Sequence, residues 1–274
     1  MICRALLVGR ATAYRGLKGR PRRYRREGDE TVVAQLRQAL RERGSYGYRR
    51  AHWIVNRQFG TRYNRKRIQR LMRMYGLALP IRGRRQGGRR HEGQVECVVS
   101  NQRWCSDVLE IACWNGEVVH LVFSLDCCDR EVPAWVATSY STTGVEVRRL
   151  MRKSVYARFG SQKPDPPVEW LSDNEGIYTS LETLIEAERL GLKPITTPPA
   201  SPESNGMAEA FVNTLRRDYI EDADLSSAAR VIEQIPGWIA DYITFAPHSS
   251  LGMKTPAEFR AAQQTVADTG CLTK

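Results

Sequence analysis

The chain changes character near residue 97. Before that point apolar residues recur at helical spacing among cations; after it they alternate at strand spacing among acids. Residues 1 to 96 carry 26 Lys and Arg against 6 Asp and Glu, whereas residues 97 to 274 carry 16 against 24. A periodicity and a charge sign that switch together point to two folded units, and 274 residues suffice for one substantial core and one smaller domain. The division is expected to be functional, the basic part gripping a polyanion and the acidic part concentrating carboxylates. A basic run often reads as a solvated tail. Here it extends over a domain's worth of helical periodicity, which favours nucleic acid.

Other classes are disfavoured. No uncharged stretch approaches the roughly 18 residues of a membrane span. The apolar run Ala5 to Val8, between Arg4 and Arg10, is too short for a secretory signal. A cytosolic, nucleoid-associated protein with no membrane partner is expected. The cysteines at positions 3, 97, 105, 113, 127, 128 and 271 form no CxxC pair, and His52, His91, His120 and His248 add no zinc-ligand spacing. Reduced thiols filling apolar space are expected instead.

Along the basic part, residues 1–28 end in RPRRYRRE, whose arginines repel one another unless a phosphate backbone neutralises them. A helix-turn-helix unit is expected over 29–79. Its first helix, 29–43, carries Val32, Val33, Leu36 and Leu40 at helical spacing with Asp29 and Glu30 in the first turn. A second helix is expected over 47–57. A third, 65–75, is capped by Asn64 and has Ile68, Leu71, Met72 and Tyr75 on one face and Arg65, Lys66, Gln69, Arg70 and Arg73 on the other. Two helices around a short glycine-containing turn, the second strongly basic, suit a helix-turn-helix on DNA; an ordinary helical hairpin is the plainer alternative. Residues 80–96, rich in Gly and Arg, read as a basic linker.

The acidic part, 97–262 with a tail at 263–274, begins with strands expected at 102–113, 117–125 and 131–138, joined by turns at Asn115-Gly116 and Asp129-Arg130. A helix at 143–159, a buried strand at 168–171, a helix at 177–190, a short strand at 193–196 and helices from 201 follow. That order gives a mixed sheet flanked by helices, an α/β domain.

Three acids stand out. Asp107 interrupts the apolar face Cys105, Leu109, Ile111, Cys113. Asp173 directly follows the buried strand, at the carboxyl edge where α/β sheets place their sites. Glu209 borders the stripe Ala208, Phe211, Val212, Leu215, Tyr219 of a helix expected to start at Ser201, Pro202 and Glu203. Brought together, such carboxylates would raise one another's pKa, and a divalent cation would reverse that cost. Oxygen-only ligands select magnesium or manganese, and two such ions would support in-line displacement at phosphorus. Taken singly, each acid also reads as a strand-end, turn or helix-surface residue.

The segments NQRWCSDVLEI, SLDCCDREVPAW, PVEWLSDN, SPESNGMAEAFVNTLRRDYI and PHSSLGMKTPAEF, with YGYRRAHWIV and NRKRIQRLMRMYGL upstream, resemble the B-frame transposases of the insertion-sequence-three family, subgroup of the second insertion element. The 35 residues between Asp173 and Glu209 match the interval of retroviral-integrase-like cores. The resemblance implies a ribonuclease-H-like five-stranded sheet behind the helix-turn-helix domain. It implies Asp107, Asp173 and Glu209 as catalytic and metal-holding residues for two Mg2+ or Mn2+ ions. It further implies cleavage and strand transfer at element ends through circular intermediates, double-stranded DNA as partner, an A-frame product that is sometimes fused, and a homo-oligomer on DNA. Candidate DNA contacts are Arg49, Arg50, Arg65, Lys66, Gln69, Arg70, Arg73, Arg84, Arg85, Arg89, Arg90, Asn205, Arg216 and His248.

Three departures accompany the likeness. Glu175 intervenes between Asn174 and Gly176, adding an acid beside the metals. Ile243, Thr244, Phe245 and Ala246 replace polar or basic residues before the Pro247-His248 pair. The segment CRALLVGRATAYRGL is similar to the family's small helix-turn-helix remnant. Two alternatives stand beside the transposase reading: an inactive DNA-binding regulator descended from a transposase, and a nuclease of the same fold acting on RNA-containing duplexes, which SPESNGMAEAF disfavours.

Overall fold

The computed structural model describes residues 26–80, 97–196 and 205–271, with side chains as far as Thr265. Arg84, Arg85, Arg89 and Arg90 of the expected linker, and the helix start expected at Ser201, Pro202 and Glu203, lie outside the described residues. The chain divides into two units, Met1–Ile81 and Arg82–Lys274.

In the first unit, α1 (Asp29–Ala39), α2 (Tyr48–Gln58) and α3 (Arg65–Met74) bury Val32, Val33, Leu36, Ile54, Val55, Ile68, Leu71 and Met72 against one another. α1 ends earlier than expected, and Leu40 is only half-buried. Asn64 caps α3 as expected, its side chain accepting the Lys66 N–H at 2.8 Å. Asn56 fixes the turn between α2 and α3. Its Oδ1 accepts the Tyr63 N–H at 2.7 Å and its Nδ2 donates to the Tyr63 carbonyl at 3.1 Å, while Tyr63 Oη donates to Gln35 of α1 at 2.8 Å. A polar turn that is fully bonded in this way holds one interhelical geometry.

The second unit is a sheet of five strands in the order β3-β2-β1-β4-β5. The strands are β1 (Arg103–Ala112), β2 (Val118–Asp126), β3 (Trp135–Thr138), β4 (Val168–Ser172) and β5 (Leu192–Thr196). β1 pairs antiparallel with β2 and β2 antiparallel with β3, whereas β4 runs parallel to both β1 and β5. The crossovers use α4 (Gly144–Phe159) between β3 and β4, and α5 (Gly176–Thr179) with α6 (Leu181–Arg189) between β4 and β5. α7 (Gly206–Leu215), α8 (Ala228–Thr244) and α9 (Pro256–Cys271) follow.

The sheet is covered on both faces. Leu109, Ile111, Leu121, Phe123 and Leu125 meet Phe211 and Leu215 of α7 and Val231, Ile235, Ile239 and Tyr242 of α8. On the opposite face Trp104, Val122, Val136, Val168 and Trp170 meet Val147, Leu150, Met151 and Val155 of α4 and Ala187 of α6. Alternation along β1 therefore divides its side chains between two apolar layers.

Three boundaries differ from the sequence expectation. The third strand begins at Trp135, because Asp126–Glu131 form a bonded turn: Asp126 Oδ1 accepts the Cys128 and Asp129 N–H groups, and Asp129 Oδ1 accepts that of Glu131. The helix expected over 177–190 is interrupted at Ser180, whose ψ of 142° is extended and whose hydroxyl bonds Thr183. α9 runs on across the expected boundary at 262, and Gln263 joins Ser100 and the Val98 carbonyl.

The turn after β2 contains the most buried ion pair of the unit. Arg158 is 1% exposed and bonds both oxygens of Asp129 at 3.2 Å, with Glu131 3.3 Å away. Burial, and then the neighbouring Asp129, push the Asp126 carboxyl above its ordinary pKa, so Arg158 offsets a concentrated negative charge. Arg158→Ala should lower unfolding free energy by about 3 to 5 kcal/mol in denaturant titration, since it leaves Asp129 buried and uncompensated. A loss within experimental error would show that the pair contributes nothing.

Candidate active site

Asp107 lies within β1, half-buried, between residues that are wholly in the apolar layer: Cys105, Leu109 and Ile111. The parallel register sets Arg103 opposite Glu169, Trp104 opposite Trp170 and Cys105 opposite Leu171. Carried two residues further, the same register brings Asp107 level with Asp173, which directly follows Ser172, the last residue of β4. Asp173 Oδ1 accepts the Glu175 N–H at 3.2 Å, an Asx-type turn that leads into α5.

Glu209 is exposed on the first turn of α7. Asn205 stands in the capping position of that helix and is buried, and its Nδ2 donates to the Ser106 carbonyl at 3.3 Å. The helix head is thus tied to β1 one residue from Asp107. Residues four apart share a helix face, so Glu209 and Asn213 lie on one side of α7, and Arg216 opens the π-helical turn that follows it.

The acids act on one another electrostatically. Burial above all, and then the fields of Asp173 and Glu209, raise the Asp107 carboxyl above its ordinary pKa; the Val108 N–H and Arg216 oppose the shift. Glu175, the additional acid, is raised by burial and by Asp173 and Asp107, so it belongs to the same negative field. Among the described residues, no three His, Cys, Asp or Glu side chains stand close enough to hold one metal ion between them.

The donor chemistry suits a hard cation. The acids supply oxygen alone, and the Asn205 Oδ1 is a further buried oxygen without a hydrogen-bond partner among the described residues. Acceptors in excess of donors, in a half-buried place, are what a divalent cation stabilises.

The other expected residues fall into distinct settings. Arg216 is exposed close enough to influence Asp107. His248 is half-buried edge-on to Tyr242, centroids 4.7 Å apart, at the end of a ladder that continues through Phe211 to Phe123. Of the departures at these positions, Ile243 packs against the core at the end of α8 and Ala246 is buried just beyond it. In the first unit Arg65, Lys66 and Arg73 are exposed on α3 and Arg49 on α2, while Gln69 and Arg50 are half-buried. Arg50 lies over the Tyr46 ring at 4.6 Å. Arg70, expected on the open basic face, turns inward with Arg67 to Asp29, at 2.7 and 2.9 Å. Asp29 is 2% exposed; burial acts against its charge, but the Arg26 N–H and the two guanidinium groups hold its pKa below the ordinary value.

Two residues at the site escaped the sequence reading, Ser106 and Tyr178, both fully buried and joined by their hydroxyls at 3.1 Å. A signal for the first was present. Trp104-Cys105-Ser106-Asp107 and Trp170-Leu171-Ser172-Asp173 are near repeats, and the repeat interval equals the strand register.

The pattern of an HTH-like domain matches residues 27–85, and two integrase core domain patterns match residues 99–202 and 190–256. The transposase InsD of insertion element IS2 from Escherichia coli is 38% identical over 258 residues, covering 92% of this chain and 86% of that protein. An uncharacterized protein of insertion element IS136 from Agrobacterium fabrum is 48% identical over 177 residues, covering 64% of this chain and 91% of that protein. Among solved structures, the simian T-cell lymphotropic virus intasome shares the fold at a TM-score of 0.51 and 14% identity, over 76% of this chain and 70% of that one. With an HTH-like domain ahead of an integrase core, and InsD alike over nearly its whole length, the chain belongs to the insertion-element transposases.

Proposed function

We propose that this transposase cuts and rejoins DNA at the ends of an insertion element, with Asp107, Asp173 and Glu209 as its catalytic carboxylates. The observation that supports the residue assignment is geometric: the β1–β4 register sets Asp107 level with Asp173, and the Asn205–Ser106 bond ties the head of the helix that carries Glu209 to the same strand. These three would hold magnesium or manganese, two ions in the fullest form. Such ions, when bound, stabilise charge on the attacking and leaving oxygens of phosphoryl transfer. The protein's own contribution is positioning. β1 and β4 hold two acids level, and α7 carries the third. The free 3′-hydroxyl of one strand attacks a phosphodiester, and the displaced 3′-oxygen of the cut strand leaves; no covalent enzyme intermediate is required.

The HTH-like unit binds DNA. We assign its contact surface to α3 and the start of α2, where Arg65, Lys66, Arg73 and Arg49 are exposed. Assembly of several copies on paired ends, and fusion to an upstream A-frame product, complete the proposal. An inactive regulator is not favoured. Of the departures that suggested it, at Glu175 and at residues 243 to 246, Glu175 occupies the capping position of α5 with its N–H bonded to Asp173, and Ile243 packs against the core.

Three outcomes follow. Asp107→Asn should reduce magnesium-dependent strand transfer on oligonucleotides bearing the element ends by at least on the order of a hundredfold, with duplex binding retained. Equal products from both proteins would remove the enzyme reading. Replacing Arg65, Lys66 and Arg73 together by Ala should weaken duplex binding and lower its logarithmic salt slope by about 2 to 3, given about 0.9 per phosphate contact. Arg70→Ala should instead destabilise the first unit by about 1.5 to 3 kcal/mol through Asp29, seen as a lower melting temperature. An unchanged salt slope in the triple variant would mean that α3 faces something other than phosphate.

A further inference from the structure

Ser106 immediately precedes Asp107 on β1 and is fully buried. Strand alternation sends its side chain into the layer of α4 to α6, while Asp107 points to the layer of α7. In the first layer its hydroxyl lies 3.1 Å from that of Tyr178, a buried residue on α5, the short helix that begins three positions after Asp173. Its backbone carbonyl accepts the Asn205 amide at 3.3 Å, at the head of the helix that carries Glu209. One residue therefore joins, through hydrogen bonds, the strand of Asp107, the head of the helix that carries Glu209 and the short helix that follows Asp173.

The bonds differ from ordinary packing in what they fix. The apolar layers determine which faces meet, whereas a buried hydroxyl pair has a preferred distance and direction and tolerates little sliding. Sliding of α5 relative to β1 would move Asp173 relative to Asp107, and sliding of α7 would move Glu209. The Tyr178 hydroxyl stays neutral, since burial raises its pKa well above the ordinary value, so it remains available as a donor at every working pH.

We propose that the chain Tyr178–Ser106–Asn205 is a positioning device that sets the spacing of Asp107, Asp173 and Glu209 for divalent cations, a role that rests on the carboxylate reading above. Ser106 and Tyr178 act through the acids and touch neither DNA nor metal.

Manganese binding to the full chain, followed by loss of the free-ion paramagnetic resonance signal, tests this without turnover. Tyr178→Phe and Ser106→Ala should each weaken Mn2+ binding on the order of tenfold, as is typical when the groups behind metal ligands are removed. The double variant should bind no more weakly than either single one, because both remove the same bond. Duplex binding in the absence of divalent ions should stay at the wild-type level. If the variants melt at lower temperature yet bind Mn2+ as tightly as wild type well below that temperature, the bond is merely structural and the proposal is overturned. Losses that add in full in the double variant also overturn it. Asp107→Asn separates the two levels of the argument: if it too binds Mn2+ like wild type, the carboxylate reading fails and the positioning role falls with it.

Discussion

The parallel pairing of Arg103–Cys105 with Glu169–Leu171 is the constraint on which the catalytic unit depends. It joins the antiparallel meander to the helix-and-strand alternation that follows, so it holds the two halves of the sheet together. The same pairing aligns two Trp-x-Ser-Asp segments. The buried Trp104 and Trp170 pack edge to face at 6.3 Å behind the acids, where a slip of register would expose one of them. Register is therefore fixed by the bulkiest side chains of the sheet, and the acids inherit their alignment from it.

β1 serves both faces of the unit at once. Odd-numbered positions carry Cys105, Leu109 and Ile111 into the layer of α7 and α8, with Asp107 in the same row. Even-numbered positions carry Trp104 and Ser106 toward α4 and α5. The strand thus holds a charged group in an apolar row without exposing the row to water. A carboxylate in that row is desolvated before any ligand arrives, which raises its affinity for protons and metal ions alike.

Much of this was legible in the sequence because the relevant signals are local. Alternation over residues 102–113, the turn at Asn115-Gly116 and the helix cap at Asn64 each depend on a few neighbours, and each matches the fold. Asp107 was visible as a charge in an otherwise apolar row of a strand, and Asp173 as an acid directly after a buried strand. What escaped depends on contacts between residues far apart in the chain. Tyr178 meets Ser106 across 72 positions and Arg70 meets Asp29 across 41. Neither pairing leaves a periodic trace. The break at Ser180 escaped for the opposite reason: helical spacing continues through Leu181, Leu184 and Ile185, but Ser180 Oγ and the Ile177 carbonyl both bond Thr183 Oγ1 and hold the chain extended there. Hydrophobic period alone does not register a competing side-chain bond.

The ladder Phe123–Phe211–Tyr242–His248 runs without interruption from the middle of the sheet to a half-buried imidazole near the end of α8. Rings in edge or tilted contact transmit displacement because a close-packed interior has no slack to absorb it. A change of volume at the sheet end therefore falls first on Phe211 and Tyr242, the two rings that separate it from the imidazole.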